Sequence, residues 1–354
     1  MFSFIYCRYL GVLICTCLMM SFGGLVKAES EYIYGMHDPG GERLMGKHKG
    51  WIVHTEGIGI KGRGGKNFSK WSRAGYTNIV RLNYGYYAKG TLPFEKDYDA
   101  FAKRCAAYVK ASKGVEYWII GNETNLAREW PGNTTGDQTT GQPITAERYI
   151  KAYLKCYEAI KKVAPKAKVC PSPVGTWAPP FPNKGIDEFD EYWVKTLEGI
   201  GAAKIDGLIL HAYTHGADPK LVRSERKMGP PYEDINYHFR VYRNLMSVIP
   251  SDMRDKPVMI TECDQNIESA DNSKPRNAWV NKNTGWMKEI YEEINDWNLN
   301  NDQKIRCVAM FRWPAEKEGE YTYGIEKMRH LQKDFKEAAR KGYKWTVKTK
   351  QKKK

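Results

Sequence analysis

The stretch Tyr117-Trp118-Ile119-Ile120-Gly121-Asn122-Glu123 decides how this chain is read. Two aromatic and two β-branched residues in succession make a short, almost wholly apolar run. Such a run marks a strand buried on both faces, as in a parallel sheet covered by helices. It ends abruptly in an amide and a carboxylate. A Glu directly after a buried strand is costly to desolvate unless it is paired or held for chemistry. A second run, Pro257-Val258-Met259-Ile260-Thr261-Glu262, ends in the same way. In parallel α/β folds, function collects at the carboxyl ends of the strands. Two buried strands that each deliver a Glu at that end predict a carboxylate pair, Glu123 and Glu262, facing one pocket.

Working outward from these two runs, eight strand-like segments can be read: 32–37, 51–56, 78–84, 117–123, 168–173, 206–213, 257–262 and 305–313. Helix-period apolar patterns fill most of the gaps, at 68–74, 98–111, 146–163, 188–200, 236–248, 285–298 and 327–339. The first gap holds only a short turn, 42–45. Strand-helix alternation implies a parallel sheet, and eight repeats favour a closed (β/α)8 TIM barrel over an open sheet. The segments after the strands are long and rich in Gly, Pro, Thr and aromatics, as at 124–143, 174–185, 214–232 and 263–278. Those after the helices are short, as at 75–77 and 165–167. This asymmetry puts the working surface at the strand carboxyl ends. No linker or composition shift divides the chain, so 29–340 reads as one catalytic domain.

The ends of the chain read differently. Arg8, an apolar core from Tyr9 to Phe22, and Val26-Lys27-Ala28 give residues 1–28 the pattern of a secretory signal, and an uncleaved membrane anchor is the alternative. The expected location is secreted or periplasmic, with no stable membrane insertion once the signal is removed. The net charge is +15, but Arg340 to Lys354 holds eight basic residues and no acidic one. Residues 341–354 are therefore expected to be a disordered basic tail on a nearly balanced body. Nothing resembles a nucleic-acid-binding module, and no nucleic-acid partner is expected. A monomer is expected. Beyond the leader, Cys105, Cys156, Cys170, Cys263 and Cys307 have neither disulfide-framework nor zinc spacing. Cys105 and Cys156 fall on neighbouring helices, where one disulfide is open, but small buried thiols are the favoured reading.

Cleaving a glycosidic bond needs one carboxylic acid to protonate the leaving oxygen and a second carboxylate across the sugar. Gly121-Asn122-Glu123 ending the fourth run, His211-Ala212-Tyr213 ending the sixth, Thr261-Glu262 ending the seventh and Trp313 ending the eighth together resemble the clan-A retaining glycoside hydrolases, the cellulase-like barrels. The resemblance implies Glu123 as acid/base and Glu262 as nucleophile. It implies that Asn122 bonds the sugar 2-hydroxyl and that Tyr213 holds the nucleophile. His211 would lie beside the acid/base or the sugar, and Trp313 would form the floor. Glu123 is then expected to carry a raised pKa and Glu262 to stay charged. No cofactor or metal is implied, and the partner is a carbohydrate.

Some residues fall outside this pattern. Many cellulase-like enzymes place an Arg at the end of the second strand, whereas here Arg81, with Asn83, lies on the third. His37-Asp38 ends the first run as a further pocket pair, and His54 and Glu56 end the second. Of the tryptophans on or near long loops (Trp130, Trp177, Trp279 and Trp313), Trp177 joins Trp313 as a sugar-stacking candidate. Lys220, Arg223, Arg226 and Lys227 suit an anionic polysaccharide or, equally, a solvated face. Three other readings stay open: a metal-dependent barrel using His37, Asp38, His54, Glu56 and His211, a catalytically silent carbohydrate-binding barrel, and a transglycosylase.

Overall fold

A computed structural model describes residues 29–267, 278–316 and 323–349. The leader-like residues 1–28 lie outside the described residues. Eight strands run in parallel: β1 Tyr34–His37, β2 Trp51–Gly57, β3 Thr77–Asn83, β4 Tyr117–Ile120, β5 Lys168–Pro171, β6 Leu208–His211, β7 Val258–Cys263 and β8 Ile305–Met310. They are hydrogen-bonded in the order β5-β4-β3-β2-β1-β8-β7-β6. The Asp206 N–H, just before β6, donates to Val169 O on β5 at 3.0 Å and brings the two edges together. The expected (β/α)8 barrel is therefore present.

Among the described residues seven α-helices surround it: α1 Ser69–Ala74, α2 Tyr98–Ala111, α3 Ala146–Val163, α4 Phe189–Ile200, α5 Val241–Ser247, α6 Trp286–Asn300 and α7 Arg329–Arg340. Between β1 and β2 stands only a 3-10 turn, Glu42–Met45. α3 shows why these segments are helical. Thr145 caps its first turn through Arg148 N–H, and Tyr149, Ala152, Tyr153, Cys156 and Ile160 form one buried stripe.

Period-two alternation sorts the strand residues. Trp51, Val53, Ile79, Tyr117, Ile119, Cys170, Ile209, Met259, Cys307 and Ala309 fill the barrel interior, and their neighbours pack outward on the helices. The interior has no slack: a Cβ at Gly35 would sit 2.9 Å from Ala309 Cα, Cys307 Sγ and Val308 O. The inward series continues upward along β3 from Ile79 to Arg81 and Asn83, and along β6 from Ile209 to His211. The apolar plug thus gives way to polar groups at the carboxyl end.

The basic tail departs from expectation. Residues 341–349 are built into the floor of the barrel: Lys344 bridges antiparallel to Tyr32, and Trp345 N–H and Nε1–H donate to Glu31 O and Ser30 O. The Trp345 ring packs beneath the interior plug, with the Arg306 guanidinium 4.3 Å above it. Aromatic burial outweighs the charge of this segment. Residues 350–354 lie outside the described residues, and among those described no helix is long and apolar enough to cross a membrane.

Cys105 on α2 and Cys156 on α3 face each other as free thiols, and the other three described cysteines are also free and buried. The five cysteines of residues 105–307 are expected to take up no thiol reagent in the native protein and all to label once it is unfolded. Mass spectrometry with and without denaturant checks this, and rapid native labelling would contradict the packing.

Candidate active site

Glu123 and Glu262 meet at the barrel mouth. Each is nearly buried, 4% and 6% exposed. One oxygen of each and a ring nitrogen of His211 lie within 4.8 Å of one another. The two strand ends deliver their carboxylates by different local means. β4 stops at Ile120 because Gly121 turns to φ +82°, which favours glycine, and Glu123 itself sits at φ +38°. That turn lets consecutive residues, Asn122 and Glu123, both face the pocket. On β7, strict alternation from Met259 through Thr261 would point Glu262 at the helices. The strand register shifts between Ile260 and Cys263, opposite a shift between Leu210 and His211, and this irregularity turns Glu262 inward.

Strain gathers at the same face. The non-glycine residues with positive φ among those described are Asp38, Tyr87, Glu123, Trp177 and Asn266, and all lie beyond the carboxyl ends of strands. Held left-handed conformations of this kind cost about 1–3 kcal/mol each and cluster at functional sites.

Each carboxylate has its own partners. Glu262 Oε1 accepts from Arg81 Nη1 at 2.5 Å, and Oε2 accepts from the Tyr213 hydroxyl at 3.1 Å. His37 Nε2 and His211 Nε2 stand 3.8 Å from Oε1. Burial pushes the proton affinity of Glu262 up, but the charges of His211, Arg81 and His37 outweigh it and hold the carboxyl below its ordinary range. Glu123 Oε1 lies 2.8 Å from His211 Nδ1 and 3.4 Å from the Tyr213 hydroxyl, and Oε2 accepts from Arg128 Nη2 at 3.0 Å. Burial again works upward, but the His211 hydrogen bond and charge, followed by Arg128, carry Glu123 well below the carboxylate range. The expected raised value is not found, because the interactions with His211 and Arg128 overcome desolvation.

Among the other expected residues, Asn122, His211, Tyr213, Arg81 and His37 all join the carboxylates. Asn122 Oδ1 accepts from the same Arg81 Nη1 at 2.5 Å. His211 is fixed through Nε2 by Thr261 Oγ1 at 3.1 Å. Asp38 pairs with His37 at 3.3 Å and Arg312 at 3.4 Å; burial opposes these partners, yet its carboxyl falls to about 2. Trp177 stands beside Tyr213, ring centroids 6.3 Å apart, and on His215 at 4.5 Å. Asn83 is buried at the top of β3, and its Oδ1 has no hydrogen bond. Trp313 lies past the end of β8 and covers Gly40 and Gly41, where a Cβ would fall 2.3 Å from its ring. The Trp313 N–H donates to His37 O at 2.9 Å, and the ring that packs on His37 from that strand end is Phe311, at 4.7 Å.

The metal reading loses two of its five candidate ligands, His54 and Glu56. His54 faces outward, bonded to Asn78 Oδ1 at 3.0 Å and wedged between Phe68 and Trp71, while Glu56 pairs with Lys66. Burial first, with Lys66 and His37 adding, lowers the His54 pKa to about 4. The Glu123–His211–Glu262 group has metal-like spacing, but Arg81, Arg128 and Tyr213 already serve its carboxylate oxygens.

Sequence reading missed Arg128, Glu129, Asp264, His215 and Tyr237. Arg128 and Glu129 follow Glu123 by five and six positions, and a 3-10 turn, Ala127–Glu129, folds them back over it. The signal was a charged pair soon after the strand-end Glu. Burial pushes Asp264 well above the carboxylate range, with Glu262 and Glu123 adding. His215 stacks on Tyr237 at 4.2 Å under Arg226, extending the Trp177 wall.

No protein-family model and no curated protein matches this chain. Solved structures do. A family 39 glycoside hydrolase from the gut symbiont Bacteroides cellulosilyticus WH2 is similar at 16% identity and a TM-score of 0.51, over 84% of this chain. The chain spans 60% of that protein's length. A Paenibacillus polymyxa xyloglucanase of glycoside hydrolase family 44 is similar at 11% identity and a TM-score of 0.51, over 87% of this chain and 76% of the other. A glucosidase from Croceicoccus marinus follows at 10% identity and 0.50, over 89% and 68%. The chain therefore has the barrel fold of these glycoside hydrolases, with a Glu at the end of β4 and another at the end of β7.

Proposed function

We propose that this protein is a retaining glycoside hydrolase, with Glu262 as nucleophile and Glu123 as acid/base. The observation that carries the reading is the approach of the two carboxylates to within 4.8 Å across the barrel mouth. Direct attack by a carboxylate calls for a separation of about 5 Å, whereas a water-mediated inverting site needs roughly 6.5–9.5 Å. Glu262, kept ionised by Arg81 and aimed by Tyr213, attacks the anomeric carbon. The bond to the leaving oxygen breaks as Glu123 protonates it. Glu123 then takes a proton from water, which attacks the same carbon and releases Glu262.

As the acid of the first step Glu123 must carry a proton, and His211 Nδ1 lies 2.8 Å from its Oε1. Arg128 opposes this, because its charge favours ionised Glu123. Its side chain is 62% exposed, and a saccharide entering on that side displaces it. Arg128→Met is therefore expected to raise the pKa of Glu123. The alkaline limb of kcat/KM, where the acid loses its proton, moves to higher pH. A pH–rate profile unchanged from wild type would sink that assignment.

The substrate class proposed is a β-linked oligo- or polysaccharide, supported by the aromatic wall of Trp177, His215 and Tyr237 at the mouth. An anionic polymer draws little support from the basic loop, since Arg223 is engaged with Glu289, Glu293 and Asp296. The leader-like residues 1–28 support export. The test is turnover of a panel of aryl β-glycosides and polysaccharides, with the anomer of the first product read by NMR. Retention of configuration is the expected result. Inversion would remove the double-displacement mechanism, and no turnover on any substrate would favour a silent carbohydrate-binding barrel.

A further inference from the structure

The mouth holds a third carboxylate that neither catalytic role uses. Glu129 closes the 3-10 turn after Leu126, and its own backbone is fastened there: its N–H donates to Leu126 O at 3.0 Å, and its carbonyl accepts from Thr91 N–H at 2.9 Å. From this position Glu129 Oε1 accepts from Asn122 Nδ2 at 3.4 Å. The other end of the same amide accepts from Arg81 Nη1, which also holds Glu262. Asn122 is thus gripped at both ends, by a carboxylate on its nitrogen and a guanidinium on its oxygen. Both partners dictate the same orientation, oxygen towards the guanidinium and nitrogen towards the carboxylate, and together they hold the amide plane.

We propose that Glu129 is a positioning residue of this site, orienting the Asn122 amide and balancing the two arginines that hold Glu123 and Glu262. The inference rests on the glycosidase reading, in which Asn122 bonds the sugar 2-hydroxyl.

The charges facing Glu129 are Glu123, Arg128 and Arg81, with the Asn122 amide as its hydrogen-bond donor. Burial pushes its carboxyl up and the Glu123 charge adds to the rise. Arg128, Arg81 and the amide pull it down, and the balance stands at about 7. Glu129 therefore changes charge near neutrality. Coulombic coupling is reciprocal, so ionised Glu129 makes Glu123 a stronger proton holder. It restores to the acid part of the proton affinity that Arg128 removes.

Glu129→Gln keeps an acceptor for Asn122 and loses the charge, while Glu129→Ala loses both. Kinetics across pH, on a glycoside and its 2-deoxy counterpart, separate the two contributions. Glu129→Gln is expected to move the alkaline limb of kcat/KM to lower pH. Glu129→Ala is expected also to lose about tenfold of the preference for the 2-hydroxyl substrate, the size of one hydrogen bond to a charged or well-oriented group. Thermal unfolding provides an arm that needs no substrate. The unfolded chain releases this proton in the ordinary carboxylate range, but the native state keeps it to about 7. Wild type therefore loses stability, relative to Glu129→Gln, between about pH 5 and pH 8. A Tm gap that grows over that interval supports the inference, and a constant gap overturns it. Wild-type pH limbs and 2-deoxy ratios in both variants also overturn it, while leaving Glu262-dependent hydrolysis standing. Absence of hydrolysis in the wild type defeats the glycosidase reading instead, and the unfolding arm still decides on the charge of Glu129.

Discussion

Glu262→Ala is expected to lower turnover by about 10⁴-fold or more, the scale seen when a nucleophile is removed from a preorganised site. Azide, small enough to occupy the vacated volume, should restore turnover and yield a glycosyl azide of inverted configuration. The same change should destabilise the fold. Arg81, its side chain 6% exposed, would keep Asn122 Oδ1 but lose its carboxylate. Breaking a buried ion pair from one side costs about 3–5 kcal/mol. Relief of repulsion between Glu262 and Glu123 works the other way. The lowered pKa of Glu262 decides between them, since its ionised form is on balance stabilised by its surroundings. That stabilisation is present above the ordinary carboxylate range and fades as the pH falls below it, so the loss should be largest near neutrality. Urea titrations at neutral and acid pH measure it. A variant with wild-type turnover would refute the nucleophile assignment, and unchanged stability would refute the importance of the Arg81 pair.

Glu293→Ala should separate fold from chemistry. Glu293 on α6 has a fully buried side chain, and three arginines converge on it. Arg240 forms a two-pronged bridge, Nε and Nη2 each at 3.0 Å, Arg243 Nη2 adds a contact at 2.6 Å, and Arg223 Nη1 another at 3.2 Å. Tyr242 donates its hydroxyl at 2.9 Å. Burial opposes ionisation, yet the arginines hold the carboxyl below its ordinary range. Removing it leaves like charges facing one another, with Glu289, Asp296 and Glu225 at the rim as partial relief. The expected loss is about 3–5 kcal/mol, read as a fall in urea midpoint, with kcat kept where the variant remains folded. A loss below about 1 kcal/mol would place this cluster among exposed ion pairs.

Much of this architecture can be read along the chain because its physics is local. Apolar runs of four to seven residues, alternating with amphipathic segments of helical period, fit buried parallel strands covered by helices. Boundaries were less legible. The run from Tyr117 to Glu123 looks continuous, but Gly121 ends the strand early, since its positive φ is invisible in hydrophobicity. The carboxylate pair was legible as two strand-end Glu residues, but the inward turn of Glu262 was not. Period-two reasoning from Met259 and Thr261 would have sent it outward, and only the register shift corrects this. The electrostatics of Glu123 were hidden for another reason. Arg128 and Glu129 come back to Glu123 through a turn, and a depressed Glu123 beside a raised Glu129 is a property of three dimensions. The floor misled for a similar reason: eight basic residues suggest a solvated tail, while Tyr343 and Trp345 among them anchor it.

That floor has a practical consequence. The antiparallel bridge between Tyr32 and Lys344 brings both described ends of the chain together beneath the barrel, on the face opposite Glu123 and Glu262. A tether fixed at a described residue beside that bridge, such as Glu31 or Lys344, leaves from the underside, away from Glu123 and Glu262. Were the substrate the polysaccharide proposed above, that orientation would keep the carboxylate pair turned towards the polymer.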